Sequence, residues 1–300
     1  LKAAFLKRAV MPKPLSELVA GQSLLLVGCG KMGSALLQGW LGAGLAPAQF
    51  YVQEPNPDDA LQSLGLHLNP SLETLEAAAP SIIILAIKPQ LAVATLPPLA
   101  VLANENALIV SLMAGVPINT LSDLLGGEAS FVRTMPNTPA AIGEGITALF
   151  ASDGTKDMQK QTAAALLGAV GQTVWLDNEK LIDAVTAISG SGPAYVFHMV
   201  EALAAAAVNL GLPQDMAAQL AVQTTIGSAG MLRDTSTDPR QLRVNVTSPG
   251  GTTEAALDVL MGDMGGLVDL MRRTTQAAAA RAGELSKIGE ETEPDAALDE

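Results

Sequence analysis

Cysteine is nearly missing from this chain of 300 residues: Cys29 stands alone. That excludes an internal disulfide and points to a reducing compartment, the cytoplasm. Histidine is almost as scarce, with only His67 and His198, so no group of ligands has the makings of a zinc site. Basic residues are outnumbered, 17 against 30 acidic, and the resulting net charge of -13 argues against an electrostatic grip on nucleic acid or anionic lipid. No apolar run reaches the roughly 18 residues that a membrane helix needs. The remaining partners are small molecules and further copies of the chain.

What is present is apolar and well organised. At 49% hydrophobic residues the chain is long enough for one large domain or two moderate ones. The opening LKAAFLKRAVMPKP is basic with apolar interleaving, compatible with a targeting remnant or a plain extension, disordered or loosely docked. Short aliphatic runs then recur at 24–28, 50–54, 81–87, 107–112, 131–135, 146–151 and 173–176, separated by segments of helical character. Several are apolar on consecutive positions, as strands are when helices cover both faces of a parallel sheet. The alternation predicts a doubly wound α/β domain. From about Leu181 the texture becomes Ala-, Leu- and Met-rich without strand runs, which predicts helices. Apolar residues on all sides of them call for burial against a second copy. The tail GEETEPDAALDE is acidic and aperiodic, as disordered segments are.

The stretch GCGKMG follows the first aliphatic run and opens a helical pattern, the setting that a dinucleotide fingerprint requires. Gly28 would permit the tight turn, Gly30 the approach of a pyrophosphate, and Gly33 the close packing of helix on strand. The amides of Lys31, Met32 and Gly33 would then face the anion at the positive end of the helix. Cys29, between the glycines, reads as a small packing residue. Glu54 lies about 20 residues past the loop, where an acid commonly binds the adenosine ribose and favours NAD over NADP; a solvated loop carboxylate is the alternative. In AIKPQ (86–90), Ala86, Lys88 and Pro89 end a strand at the edge where open α/β sheets bind ligands. In MPNTPAAIGEG (135–145), Asn137 and Thr138 sit in a turn stiffened by prolines, with Met135 before it.

Two further motifs, AISGSGPAYVF (187–197) and NVTSPGGTTEAAL (245–257), place small and hydroxyl residues ahead of helices. On its own, SPGG is equally an N-capping turn. Taken with AIKPQ, the MPNTP turn and the glycine loop, the chain from about Leu24 to Leu285 resembles the pyrroline-5-carboxylate reductases, which reduce a cyclic imine to proline in the last step of proline biosynthesis. The resemblance implies an α/β Rossmann-type N-terminal domain and an all-α C-terminal dimerisation domain. The boundaries drawn on this basis are an extension (1–20), a dinucleotide-binding domain (21–178), a helical substrate and dimerisation domain (179–288) and an acidic tail (289–300). It also implies hydride transfer from C4 of a reduced nicotinamide to the imine carbon of 1-pyrroline-5-carboxylate, without metal or covalent intermediate. NADPH is the expected cofactor, with appreciable use of NADH.

Residue by residue, the resemblance places Ala86, Lys88, Pro89, Ala114, Gly115, Met135, Asn137 and Thr138 at the cofactor, beside the glycine loop. Thr186, Ser189, Gly190, Ser191, Gly192, Pro193, Gly250, Gly251 and Thr252 would surround the substrate, with the backbone amides around Gly190, Ser191, Gly192, Gly250 and Gly251 closing round its carboxylate. Thr253 matches the family's threonine that hydrogen-bonds the imine nitrogen or ring, with Ser248 supporting the pocket. His198 reads as a packed helix residue, so no general acid of the His, Asp or Glu kind is evident. The implied assembly is a homodimer, extending to a ring of dimers. The competing assignments are another imine or β-hydroxyacid reductase of the same build, whose catalytic Lys or Asp motif is replaced here by SGSGPAYVF, and a non-catalytic NAD(P) sensor.

Overall fold

The structure is a computed structural model that describes residues 14–233 and 236–290, without the side chains of 286–290. Among the described residues, eight strands form one sheet: β1 (Leu24–Val27), β2 (Phe50–Gln53), β3 (His67–Leu68), β4 (Ile82–Leu85), β5 (Leu108–Ser111), β6 (Ser130–Met135), β7 (Gly145–Ala151) and β8 (Gly171–Trp175). Their order is 3-2-1-4-5-6-7-8. Each of the seven aliphatic runs overlaps a strand. The helices of this region are α1 (Leu15–Leu18), α2 (Lys31–Gly42), α3 (Asp59–Gln62), α4 (Leu72–Ala78), α5 (Ala92–Thr95), α6 (Ile118–Leu125), α7 (Asp157–Gly168) and α8 (Leu181–Val185).

Parity along the strands explains why their runs are continuous. Leu24 and Leu26 of β1 join Leu36, Leu37 and Trp40 of α2 and Leu166 and Leu167 of α7 on one face. Leu25 and Val27 join Leu75 of α4 and Leu121 and Leu125 of α6 on the other. Both faces are covered, so both parities must be apolar, each leucine contributing about 1.5–3 kcal/mol. Trp40 is fully buried, stacked on Phe50 with ring centroids 5.7 Å apart, and its indole N–H donates to the Leu166 carbonyl at 2.8 Å.

The structure departs from the expected parallel sheet at one pair: β7 runs antiparallel to β6. The link between them, residues 136–144, is short and curls into a 3-10 turn over Thr138–Ile142, whereas a parallel return needs a crossover of about a dozen residues. The helix α7 supplies such a crossover next, and β8 pairs parallel to β7. Of the expected extension, residues 14–20 are described, and Leu15, Leu18 and Val19 are buried in the core. Residues 1–13, and the acidic tail from 291, lie outside the described residues.

Packing divides the chain into two compact units. The first contains the sheet and extends through Gly190, so α8 and the turn after it pack with the sheet, as does the end of the last helix from Ala278. The second, from Ser191 to Ala277, is helical: α9 (Gly192–Asn209), α10 (Gln214–Met231), α11 (Pro239–Asn245), α12 (Thr252–Leu260) and the start of α13 (Leu267–Glu290). Within it α9 packs on α10, yet only Ala217 and Ala221 of these two helices are buried. Phe197, Leu210, Ile226, Val259, Met264 and Val268 are all exposed in the single chain.

Candidate active site

Strand order reverses between β1 and β4, the point where open α/β sheets bind ligands. A cleft of about 620 Å³ lies there, lined by Gly28, Gly30, Glu54, Asn56, Ala86 and Lys88 among others. The three glycines of the loop separate by their surroundings. Gly28 has φ +87°, and a Cβ there would lie 2.8 Å from both the Ala86 carbonyl oxygen and Ile87 Cγ2. A Cβ at Gly33 would lie 2.5 Å from the Gly28 carbonyl oxygen, so helix and turn touch backbone to backbone. At Gly30 a Cβ would meet nothing within 4 Å, because the cleft itself occupies that side. Gly30 is also the N-cap of α2 and offers no side chain to the first amides of the helix. Those of Lys31, Met32 and Gly33 are left for an external acceptor, as at an anion site.

Glu54 is tied into this loop. Its Oε2 accepts from the Cys29 amide at 2.8 Å and its Oε1 from the Asn56 amide at 3.1 Å. Asn69, just after β3, locks the Glu54 backbone through both its own amide atoms, at 2.9 and 3.0 Å. Asn56 and Asn69 line the cleft but carried no signal in the sequence, since neither belongs to a periodic run or a glycine motif. Burial, followed by the Glu54 and Asp58 carboxylates, pushes the Cys29 thiol from its ordinary 9.0 up to about 11. Because the folded chain keeps this proton where an unfolded thiol loses it, the contribution to stability is whole below about pH 9 and lost as the pH rises towards 11. Cys29 is therefore expected to react slowly with thiol reagents at neutral pH and to quicken only in strong alkali. Cys29→Ala should flatten the alkaline fall in stability followed by denaturant titration; rapid labelling at neutral pH would contradict this assignment.

Lys88 follows β4, is exposed, and forms no ion pair among the described residues. Pro89 opens the 3-10 turn after it. Ala114 and Gly115 lie in the loop after β5; Gly115 has φ +73°, and a Cβ there would lie 3.1 Å from the Leu285 backbone. Met135, at the end of β6, is buried. Asn137 uses its side-chain oxygen to accept from the Ile146 amide at 2.9 Å, and Thr138 starts the 3-10 turn that packs against α2. Asn137 thus holds the turn itself through that oxygen.

The substrate residues divide at the unit boundary, Thr186, Ser189 and Gly190 in the sheet unit and residues 191–193 with 248–253 in the helical one. Thr186–Gly190 form a π turn, a form that recurs at functional sites. The hydroxyls of Thr186 and Ser189 donate to the carbonyls of Ile182 and Val185 at 2.8 and 3.2 Å, and a Cβ at Gly190 would lie 3.6 Å from Met135 Sδ. Ser191, Gly192 and Pro193 start α9 without a side-chain cap. In the helical unit, Gly251 caps α12, Thr252 and Thr253 are its first residues, and Ser248 precedes the turn. The Gly250 amide donates to Glu254 Oε2 at 2.7 Å, so a carboxylate of the chain already sits at one amide expected to receive the substrate's. Among the described residues the Thr253 hydroxyl has no hydrogen-bond partner, which leaves it available to a ligand. His198 is exposed and pairs with Glu201 at 3.0 Å, so it is not packed in the single chain as the sequence reading expects. No group of His, Cys, Asp and Glu able to hold a metal exists among the described residues, and no described helix is long and apolar enough to cross a membrane.

Known proteins resemble the chain along most of its length. Residues 179–285 match the family described as pyrroline-5-carboxylate reductase dimerisation, and residues 23–115 that described as NADP oxidoreductase, coenzyme F420-dependent. The pyrroline-5-carboxylate reductase of Pseudomonas aeruginosa is 37% identical over 266 residues, covering 88% of this chain and 97% of its own. That of Synechocystis sp. is 40% identical over 268 residues, covering 87% and 97%. Among solved structures, the pyrroline-5-carboxylate reductase from Coxiella burnetii superposes with a TM-score of 0.81 at 35% identity, covering 88% of this chain and 98% of that one. Pyrroline carboxylate reductase from Plasmodium falciparum, solved with NADP bound, gives 0.76 at 29% identity, covering 89% and 98%. With relatives at this identity matched along nearly their whole length, the chain belongs to the pyrroline-5-carboxylate reductase family.

Proposed function

We propose that the chain reduces 1-pyrroline-5-carboxylate to L-proline with NADPH, and with NADH as a weaker alternative. The observation that carries this reading is the uncapped start of α2 beside the empty flank of Gly30, an anion site with room for a pyrophosphate and no side chain in the way. The residues present therefore fit a dinucleotide: Gly28, Cys29, Gly30, Lys31, Met32 and Gly33 form the phosphate turn, and Glu54, Ala86, Lys88 and Pro89 its flanks. Ala114, Gly115, Met135, Asn137 and Thr138 are the reading's nicotinamide-side residues. When bound, the reduced cofactor supplies the hydride.

The rest of the chemistry is positioning. Amides at the starts of α9 and α12 attract the substrate carboxylate, and the Thr253 hydroxyl hydrogen-bonds the ring nitrogen, donating to the neutral imine or accepting from the iminium N–H. A threonine hydroxyl is too weak an acid to give up a proton at neutral pH, so the ring arrives protonated or takes its proton from water. The exposed apolar faces of the helical unit support a homodimer in which a second copy covers them, and a ring of such dimers as the larger assembly. A half-buried, unreactive thiol suits a cytoplasmic enzyme.

The test is loss of reduced-nicotinamide absorbance with pyrroline-5-carboxylate, run with NADPH and NADH for the wild type and Glu54→Ser. Proline-forming turnover is expected, and removing the Glu54 charge should raise the NADPH to NADH ratio of kcat/KM by about tenfold, a like-charge contact with the 2′-phosphate being removed. An unchanged ratio would take cofactor selection away from Glu54. Tight nucleotide binding without turnover would sink the reductase reading in favour of a sensor or another imine.

A further inference from the structure

Arg133, on β6, is sealed from solvent, its side chain 5% exposed. Its Nη1 lies 2.9 Å from Glu179 Oε1, while its Nε and Nη2 are buried with no hydrogen-bond partner. Removing a guanidinium from water and leaving two of its N–H groups unanswered is costly, and an apolar pair of similar volume often holds a fold as well. A role other than stability is needed to account for it.

The surroundings supply one. The same Glu179 oxygen accepts from the amide of Ile118 at 2.9 Å, the first residue of α6, so one carboxylate oxygen ties together β6, α6 and the segment that enters α8. Alternation along β6 puts Arg133 and Met135 on one face. At the Met135 end that face meets Gly190, where a Cβ would lie in ordinary contact, 3.6 Å from the sulfur. The segment from Glu179 to Gly190 therefore runs along β6, pinned by the ion pair at its start and seated on Met135 at its end. Between them lies the π turn Thr186–Gly190, which holds one residue more than an α-helical turn. Relaxing it to α geometry would swing the chain beyond Gly190 by about 100°. Only a segment held at both ends keeps that register.

We propose that Arg133 and Glu179 are a positioning pair that fixes the register of this π turn, and through it the placement of Ser189 and Gly190 towards the substrate. The proposal rests on the reductase reading given above. It is tested in the full chain with Glu179→Ala, Glu179→Gln and the double variant Arg133→Met/Glu179→Leu. Four quantities are compared: KM for pyrroline-5-carboxylate, Kd for NADPH, Tm, and hydrogen exchange at the amides of 186–190. In Glu179→Ala, KM should rise about tenfold or more and the exchange should quicken by a similar factor, while Kd for NADPH moves less than about twofold. Glu179→Gln, which keeps an acceptor oxygen, should recover most of both. The apolar double variant should regain Tm without regaining KM or protection.

Recovery of KM and protection together with Tm in the double variant would show the pair to be structural only and overturn the proposal. Unchanged exchange at 186–190 in Glu179→Ala would overturn it as well. A wild type that binds NADPH but does not reduce pyrroline-5-carboxylate would instead refute the reductase reading, and the exchange comparison would still decide the role of the pair.

Discussion

Thr253→Ala is expected to lower kcat/KM for pyrroline-5-carboxylate by about a hundredfold, the scale of losing one donor aimed at the reacting group. The NADPH affinity should be retained, since the phosphate turn lies in the other compact unit. The Tm should hold too: Thr253 is the second residue of α12, its hydroxyl bonds to nothing among the described residues, and alanine is the better helix former. Thr253→Ser keeps the hydroxyl and should stay within several-fold of the wild type, less preorganised for want of the β-methyl. Steady-state kinetics on the three proteins decide the matter. A loss in the alanine variant of less than about tenfold, smaller than an oriented donor is worth, would remove Thr253 from the reaction.

The second large effect separates two glycines only two residues apart. Gly28→Ala puts a Cβ 2.8 Å from the Ala86 carbonyl oxygen at a φ of +87°, so both sterics and backbone strain oppose it. A loss of about 1–3 kcal/mol from the conformation alone is expected, and the loop cannot relax because the Gly28 amide is bonded to the Gln53 carbonyl at 2.8 Å. Gly30→Ala meets no neighbour and has an ordinary φ of -67°, so its Tm should match the wild type. Its methyl would instead stand where the pyrophosphate must approach, and the Kd for NADPH should rise about a hundredfold, the scale of losing several charge-assisted amide bonds. Thermal melts and fluorescence titration on the two variants should therefore give opposite patterns. Equal nucleotide affinity in Gly30→Ala and the wild type would place the pyrophosphate elsewhere.

Much of the sheet was legible because burial on both faces writes itself into consecutive apolar residues, as in LLLV and IIIL. The strand β3 was not, being two residues at an edge with an exposed histidine stacked on Tyr51. The reversal of β7 is not written in the apolar runs, because direction follows from the length of the preceding link and not from the run itself. At the site, the distinct duties of Gly28, Gly30 and Gly33 follow from local spacing. The bond from the Cys29 amide to Glu54 crosses 25 positions, and the pairing of Arg133 with Glu179 crosses 46. Such contacts depend on which strands are neighbours. Substitution of Glu254 for an expected ligand at the Gly250 amide was hidden for a different reason, since a glutamate in the first turn of a helix is ordinary on dipole grounds alone.

The bare apolar helices between Ser191 and Ala277 have a consequence for how the protein behaves on dilution. In the proposed dimer, mass action couples the folding of this unit to the amount of chain present, because the surface that completes it comes from another molecule. The sheet carries its own two-faced core within a single chain. In that dimer one polypeptide joins a part whose core lies within its own chain to a part completed by another, and the residues assigned to the reaction are divided between them.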